Sequence, residues 1–261
     1  MKESEITAAL LHPGGLWRKI EVVARTGSTN TDLLERSRSG EPEGAVLVAE
    51  AQTAGRGRMS REWVSPPGAG LYFSVLLRPE GVGPGLLGWL PLLTGVAVVS
   101  ALHGLGVAPP RLKWPNDVLA GDAKLAGILV EGSGGAVVAG VGMNLTQRRE
   151  ELPSPAATSL ALEAGPGAPG REPVLIAVLT ELARWYQAWR DQPRPGDADA
   201  CGLREEYTRL CSTLGREVSV SLPAGRVLAG KAAGVDAAGR LQVLTAGGMT
   251  AVSAGDVVHV R

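Results

Sequence analysis

Three arginines crowd into six positions of the stretch Gln52-Thr53-Ala54-Gly55-Arg56-Gly57-Arg58-Met59-Ser60-Arg61-Glu62-Trp63, and two of them alternate with glycine. Glycine lets a backbone approach a ligand closely and adopt positive φ. Arginine supplies a planar fork that grips phosphate or carboxylate through two parallel hydrogen bonds. A Gly-Arg-Gly-Arg loop therefore suits a clamp for a polyphosphate; it equally suits a solvated basic loop, or one that touches RNA. A second stretch, Lys113-Trp114-Pro115-Asn116-Asp117-Val118, puts a cation, a large aromatic, a rigid turn, an amide and a carboxylate in five successive positions. Its bland reading is a strand-to-turn junction shaped by Asn and Asp. A third, Lys124-Leu125-Ala126-Gly127-Ile128-Leu129-Val130-Glu131, opens an apolar strand with a lysine that would ordinarily snorkel into solvent.

The elements around these stretches are legible in outline. Trp17 and Ile20 mark a first helix or strand edge. Ser28, Thr29 and Asn30 precede Asp32, Leu33 and Leu34, a helix start with capping residues and an acid in the first turn, closed by Gly40 to Gly44. Residues 45–50 and 71–78 read as strands, the second by its alternation. Residues 86–102 carry no charge for 17 positions but include Pro91 and Gly95. That length sits at the lower limit for a membrane span, so a buried helix of a soluble core is expected instead. Strands follow at 111–114, 124–131 and 136–144. Residues 145–171 read as loop. A helix over 173–190 carries the apolar stripe Leu175, Val178, Leu179, Leu182, Trp185 and Trp189, and a short helix carries Leu203, Tyr207 and Leu210. From Leu214 the text turns to five short β segments separated by Gly turns, which predicts a small barrel, marginal if it stood alone. The domain division expected is 1–212 and 213–261.

Composition narrows the function classes. Of 261 residues, 44% are hydrophobic, enough for a sizeable core. Lys plus Arg equals Asp plus Glu at 26 each, which argues against a protein that coats nucleic acid. Cys201 and Cys211 are ten residues apart in a segment that reads as helix, about 15 Å and too far for a disulfide. Reduced thiols in a cytoplasmic protein are the expectation, and no signal peptide is read at the start. The histidines, His12, His103 and His259, lie in no motif, so neither a Ser-His-Asp triad nor a metal site is expected. No P-loop is present.

Taken together, Gly27-Ser28-Thr29-Asn30, the arginine loop with Arg61 and Trp63, 113–117, 124–131 and Gly140-Val141-Gly142-Met143-Asn144 stand in the order and spacing of biotin–protein ligases, which the chain resembles over residues 20–261. The resemblance implies an α/β (α+β) fold: a mixed catalytic sheet like that of class II aminoacyl-tRNA synthetases, followed by an SH3-like C-terminal domain. Ser60 stands where the family's loop often has glycine, a change that removes no charge. Bifunctional members carry a winged-helix DNA-binding domain ahead of the Ser-Thr-Asn motif, and 27 residues are too few for it, so a ligase without a repressor arm is expected.

The resemblance also implies substrates and roles. ATP, biotin and Mg²⁺ would meet in one pocket, and the biotinyl group would pass to a lysine of a biotin carboxyl carrier domain. Neither DNA nor a membrane is expected as a partner. Arg56, Arg58 and Arg61 would fall around the phosphates with Mg²⁺ and Lys113 assisting, and Lys124 would reach the biotin carboxylate. Ser28, Thr29 and Gln52 would meet the ureido ring, with the backbone near Gly127 lining the site and Trp63 covering it. Asn30, Gly55, Gly57 and Asn144 complete the implied binding set. Asn116 would order nucleotide contacts, and Asp117 would orient or deprotonate the attacking lysine amine. The arginine loop and 145–159 would close over the adenylate. Two rivals stay in view: a lipoate- or octanoate-protein ligase of the same fold, whose acyl chain lacks a ureido group, and a non-catalytic biotin-sensing regulator.

Overall fold

The computed structural model describes residues 1–63, 66–222 and 225–260, with the side chain of Ser60 also outside the description. The departure noted at Ser60 and positions 64–65 of the arginine loop therefore lie outside the described residues.

Strands β1 (Lys19–Val23), β2 (Ala45–Ala49), β3 (Gly70–Leu77), β4 (Arg111–Lys113), β5 (Asp117–Ala120), β6 (Ala123–Ser133) and β7 (Ala136–Asn144) form a mixed sheet in the order β1-β2-β3-β7-β6-β5-β4. Only β1 and β2 run parallel in it; the other neighbours are antiparallel. β2 and β3 are buried at every position. The alternation read in β3 is real, but both faces are covered, as the period of two requires of a central strand. Leu71, Phe73, Val75 and Leu77 join the large core under α3 (Trp89–Gly104) and α5 (Arg171–Arg190), whereas Leu76 joins Leu47, Ala45 and Leu33 of α2 (Thr29–Arg38) on the opposite face.

α3 is the uncharged segment. It is buried along most of its length, and among the described residues no helix is long and apolar enough to cross a membrane. β8 (Glu217–Ser221), β9 (Val227–Val235), β10 (Leu241–Thr245), β11 (Gly248–Val252) and β12 (Asp256–His259) form a second, antiparallel sheet in the order β11-β10-β9-β8-β12. Its inward residues Val218, Val220, Ala232, Leu241 and Val243 merge into the main core. Indole N–H groups fasten it as well: Trp89 donates to Ala237 O at 2.8 Å and Trp114 to Gly239 O at 3.2 Å. A sheet too small to stand alone is thus stabilised by sharing apolar surface with its neighbour.

Several expectations need correction. A helix, α1 (Glu3–Leu10), precedes the first strand without a legible sequence pattern, because only Ile6 and Leu10 of it are buried. β5 adds a strand between those expected at 111–114 and 124–131; its four residues are too few to show a period. The loop expected at 145–171 contains the short helix α4 (Leu160–Ala164). The two cysteines flank rather than occupy a helix, α6 (Leu203–Leu210), and both thiols are free.

Candidate active site

Three glycines strip the α2-facing side of the central sheet of side chains. Gly140 and Gly142 alternate on β7, and Gly127 on β6 is directly across from Gly142. A Cβ at Gly140 would overlap Asn30 Oδ1, one at Gly142 would stand 2.7 Å from the Trp63 ring, and one at Gly127 2.8 Å from it. The bare patch, continued by the backbone at Phe73, Ile128 and Val141, is the floor of a pocket walled by Ser28, Thr29, Asn30 and Gln52 and roofed by the arginine loop. Trp63 lies on the floor glycines, and its buried indole Nε1 has no hydrogen-bond partner among the described residues.

The wall at α2 is a polar network in an otherwise apolar surround. Gln52 Oε1 accepts from Thr29 N at 2.9 Å and Thr29 Oγ1 at 3.1 Å. Ser74, fully buried, donates to Asn30 Oδ1 at 2.6 Å, and Asn30 Nδ2 donates to Leu129 O at 3.1 Å and Glu131 Oε2 at 2.9 Å. Ser28 occupies the N-cap position in extended conformation, but its side chain makes no cap bond and lines the pocket instead. The capping role read from the sequence therefore does not hold for its hydroxyl.

The arginine loop is a tight hairpin. Trp63 N donates to Gly55 O at 2.8 Å, Arg56 and Glu62 form an antiparallel bridge, Gly57 N donates to Arg61 O at 2.7 Å, and Met59 turns the apex at φ +57°. Gly55 serves this closure more than ligand approach, since a Cβ there would lie 2.5 Å from Trp63 O. Each cation then has a defined anchor. Arg56 grips Glu131 at 2.7 Å, and Arg61 pairs with Asp256 of β12. Arg58 donates to Asn116 Oδ1 at 2.9 Å and to Gly255 O at 3.2 Å. Lys124 Nζ is 2.6 Å from Asp117 Oδ1 and 5.5 Å from the centre of the Trp63 ring.

The electrostatics of these groups differ. Hydrogen bonding to Arg61 holds the Asp256 carboxyl below its ordinary value despite some burial, with Lys113 and Arg58 adding to the effect. Burial lowers Arg58, and the charges of Asp256 and Asp117 offset it only in part. A half-desolvated guanidinium hydrogen-bonded only to neutral oxygens is the one in this loop that gains most from an arriving anion.

Most residues singled out in the sequence meet on this pocket: Ser28, Thr29, Asn30, Gln52, Arg56, Gly57, Arg58, Arg61, Trp63, Asn116, Asp117, Lys124, Gly127 and Asn144 all line it. Lys113 and Gly55 do not. Lys113 faces an adjoining groove with Asp122, Arg216 and His259, which also borders Asp117 and Lys124. Asn116 is held by β6, accepting from Ile128 N through its backbone and donating to Ile128 O through its side chain, each at 2.9 Å. Phe73 and Asp256 also line the pocket and carry no local signal in the sequence; Pro153 and Ala157 come from the 145–159 segment expected near the adenylate, Glu62 from within the loop, and Gly140 and Gly142 from within a quoted motif.

Comparison with known proteins agrees with this geometry. Residues 22–147 match the biotin/lipoate A/B protein ligase family, and residues 213–260 match the biotin protein ligase C terminal domain. The biotin–[acetyl-CoA-carboxylase] ligase of Mycobacterium tuberculosis is 43% identical over 266 residues, spanning 100% of this chain and 96% of that protein. The chain belongs to the biotin–protein ligase family. The bifunctional ligase/repressor BirA of Bacillus subtilis is 33% identical over 88% of this chain and 70% of its own length. Among solved structures, the biotin protein ligase of Aquifex aeolicus in complex with biotin and ATP superposes with a TM-score of 0.79 at 30% identity, covering 94% of this chain and 100% of that one. The mixed sheet with its antiparallel C-terminal companion is accordingly the fold of biotin–protein ligases.

Within this family member the glycine floor gives a direct test of the pocket. Asn30 cannot retreat from a methyl at position 140 without breaking its bonds to Ser74, Leu129 and Glu131. Gly140→Ala is therefore expected to cost about 1–3 kcal/mol of stability through overpacking, and to weaken biotin binding at least about tenfold by displacing the Asn30 network. Thermal melting and calorimetric titration with biotin check both.

Proposed function

We propose that this pocket condenses biotin with ATP to biotinyl-AMP and then passes the biotinyl group to one lysine of a biotin carboxyl carrier domain. One observation supports the reading above the rest: a polar network fit for a ureido ring and a set of anchored cations face each other across a floor of bare backbone. In the first half-reaction a biotin carboxylate oxygen attacks the α-phosphorus, and pyrophosphate leaves. Two anions must approach, so cations fixed in advance supply much of the acceleration. Arg58 meets the phosphates, Arg56 and Arg61 flank it, and Lys124 neutralises the carboxylate and the acyl-phosphate oxygen that forms. Thr29, Gln52 and Ser28 meet the ureido ring, with the indole N–H of Trp63 as a further donor toward the pocket.

Magnesium enters this account with the nucleotide, as MgATP. Among the described residues no three His, Cys, Asp or Glu side chains cluster to hold a metal, and Asp117 and Asp256 are each engaged by a cation. The triphosphate itself supplies the oxygens that such an ion prefers.

In the second half-reaction the carrier's lysine amine attacks the mixed anhydride, AMP leaves, and the amine proton must be removed. Asp117 is the carboxylate nearest the Lys124 ammonium and faces both the pocket and the adjoining groove. It orients the amine or takes its proton. The free thiols Cys201 and Cys211 suit a reducing cytoplasm, where both substrates are available. The division into a catalytic part, 1–212, and a C-terminal part, 213–261, belongs to the same reading: the second sheet contributes Asp256 and Gly255 to the arginine loop. Incubation with a carrier domain, biotin and MgATP should add one biotinyl mass to the carrier, and none when its acceptor lysine is replaced by arginine.

Trp63 must lift from Gly127 and Gly142 for a ligand to reach the floor, carrying the arginine loop with it. Ligand should then hold the loop closed and exclude water from the adenylate. The 145–159 segment is already fastened to the site, because Lys124 N donates to Ala156 O at 2.7 Å and Thr158 N to Lys124 O at 2.9 Å. Biotin with ATP should therefore protect residues 55–70 from limited proteolysis and change 145–159 little. Unchanged cleavage within 55–70 would contradict loop closure.

A further inference from the structure

His259 belongs to no sequence motif, yet its ring is linked through one hydroxyl, Thr213 Oγ1, to the backbone of the turn that carries Lys113, Asn116 and Asp117. The segment after α6 runs beside β4: Ser212 N and Oγ donate to Leu112 O at 2.7 and 2.9 Å. This places the fully buried Thr213 against the turn, where its Oγ1 accepts from Trp114 N at 3.1 Å. His259, the last residue of β12, brings Nε2 to 3.1 Å from the same Thr213 Oγ1. On the other side of the ring, Arg216 NH1 lies 3.4 Å from Nδ1.

Donor and acceptor counting favours one neutral tautomer of the ring. A guanidinium can only donate, so the Nδ1 that faces Arg216 is best met as an acceptor without a proton. Nε2 then carries the proton and donates it to the second lone pair of Thr213 Oγ1, the first being taken by Trp114 N–H. A doubly protonated ring would set a second N–H against the guanidinium of Arg216. It would also add a positive charge to a groove that already holds Lys113 and Arg216, where Asp122, whose Oδ1 is 3.8 Å from Arg216, opposes it and Asp117 is already paired with Lys124.

We propose that neutral His259 is a positioning residue of this ligase, which through Thr213 holds the backbone of the 113–117 turn and loosens it on protonation. The proposal rests on the catalytic reading of that turn given above. The direction of the ring's titration agrees with it: burial foremost, then Lys113 and Arg216, hold His259 below its ordinary value of 6.5, against a smaller opposite pull from Asp122. The neutral form, and the stability it brings, is complete above about pH 6.5 and is lost as pH falls through the lowered folded value. The tie also joins the two sheets, since β12 holds Arg61 at one end through Asp256 and the turn at the other through His259.

The test compares biotin-dependent ATP–pyrophosphate exchange from pH 5 to 8 in wild type, His259→Gln, His259→Leu and Thr213→Val, alongside ¹⁵N NMR of the free wild-type protein. Gln presents a donor near the Nε2 position and cannot be protonated. His259→Gln is therefore expected to keep kcat within about twofold at pH 7.5 and to lose an acid limb that wild type shows, rescuing what His259→Leu removes. Loss of one buried hydrogen bond predicts about a tenfold fall in kcat for His259→Leu and for Thr213→Val, with no further fall in the double variant. NMR is expected to show His259 protonated at Nε2 alone near neutrality, and the Trp114 amide shifting with the same midpoint as the ring. An acid limb unchanged in His259→Gln, or a Trp114 amide that ignores the His259 titration, would overturn the proposal. Absence of exchange in wild type would instead count against the catalytic reading, while the NMR titration would still decide whether the tie exists.

Discussion

Lys124→Gln should lower kcat for biotin-dependent ATP–pyrophosphate exchange by about 10²–10³-fold, the loss seen when one fixed charge stabiliser is removed from a transition state. On the proposed reading the ammonium neutralises the biotin carboxylate, and it is held by Asp117 at 2.6 Å and by the face of Trp63. Its removal acts twice. The developing charge loses its partner, and Asp117 is left as an uncompensated carboxylate beside two incoming anions. Lys124→Arg should not rescue, because a planar guanidinium cannot set its charge at the one point that the ammonium occupies between Asp117 and the Trp63 ring. Single-turnover measurement of biotinyl-AMP formation separates this from an effect on substrate affinity. A loss of less than about tenfold would show that Arg58 and its neighbours carry the charge on their own.

Asp117→Asn should divide the two half-reactions. The amide keeps the shape of the side chain and an oxygen that can accept from Lys124, so exchange is expected to fall by less than tenfold. Transfer to the carrier, which needs the lysine amine oriented and deprotonated, should fall by about 10²–10⁴-fold if Asp117 supplies general-base catalysis. The deficit should shrink as pH rises, because the carrier's amine then loses its proton to solvent. Quenched-flow transfer from preformed biotinyl-AMP, followed from pH 7 to 10, is the measurement. Equal losses in both half-reactions would mean that Asp117 acts only by holding Lys124.

The sequence made the site legible wherever a charged or polar group stood close to others along the chain. The arginine loop, the 113–117 turn and Lys124 were read this way, and all but Lys113 and Gly55 of the residues chosen line one pocket. Lys113 faces the adjoining groove instead, because it ends a three-residue strand too short for its side-chain direction to be inferred. Asp256 and His259 were invisible for a different reason. Their partners, Arg61 and Thr213, are far away along the chain, and neither residue belongs to a local pattern. The glycine floor was half visible: Gly127 and Gly142 were quoted in motifs, but only sheet register places them opposite one another. The fold followed the same division. Long apolar elements such as α3 and α5 were read nearly to their ends, whereas α1 and β5 bury too few residues to show a period.

The most direct test of the account is ATP–pyrophosphate exchange by the purified protein with MgATP, comparing biotin, lipoate and no added acid. Exchange that requires biotin is the predicted result, since on the reading proposed here the polar groups of Thr29, Gln52 and Asn30 meet a ureido ring, which lipoate lacks. Exchange driven by lipoate, or none with either acid, would contradict it.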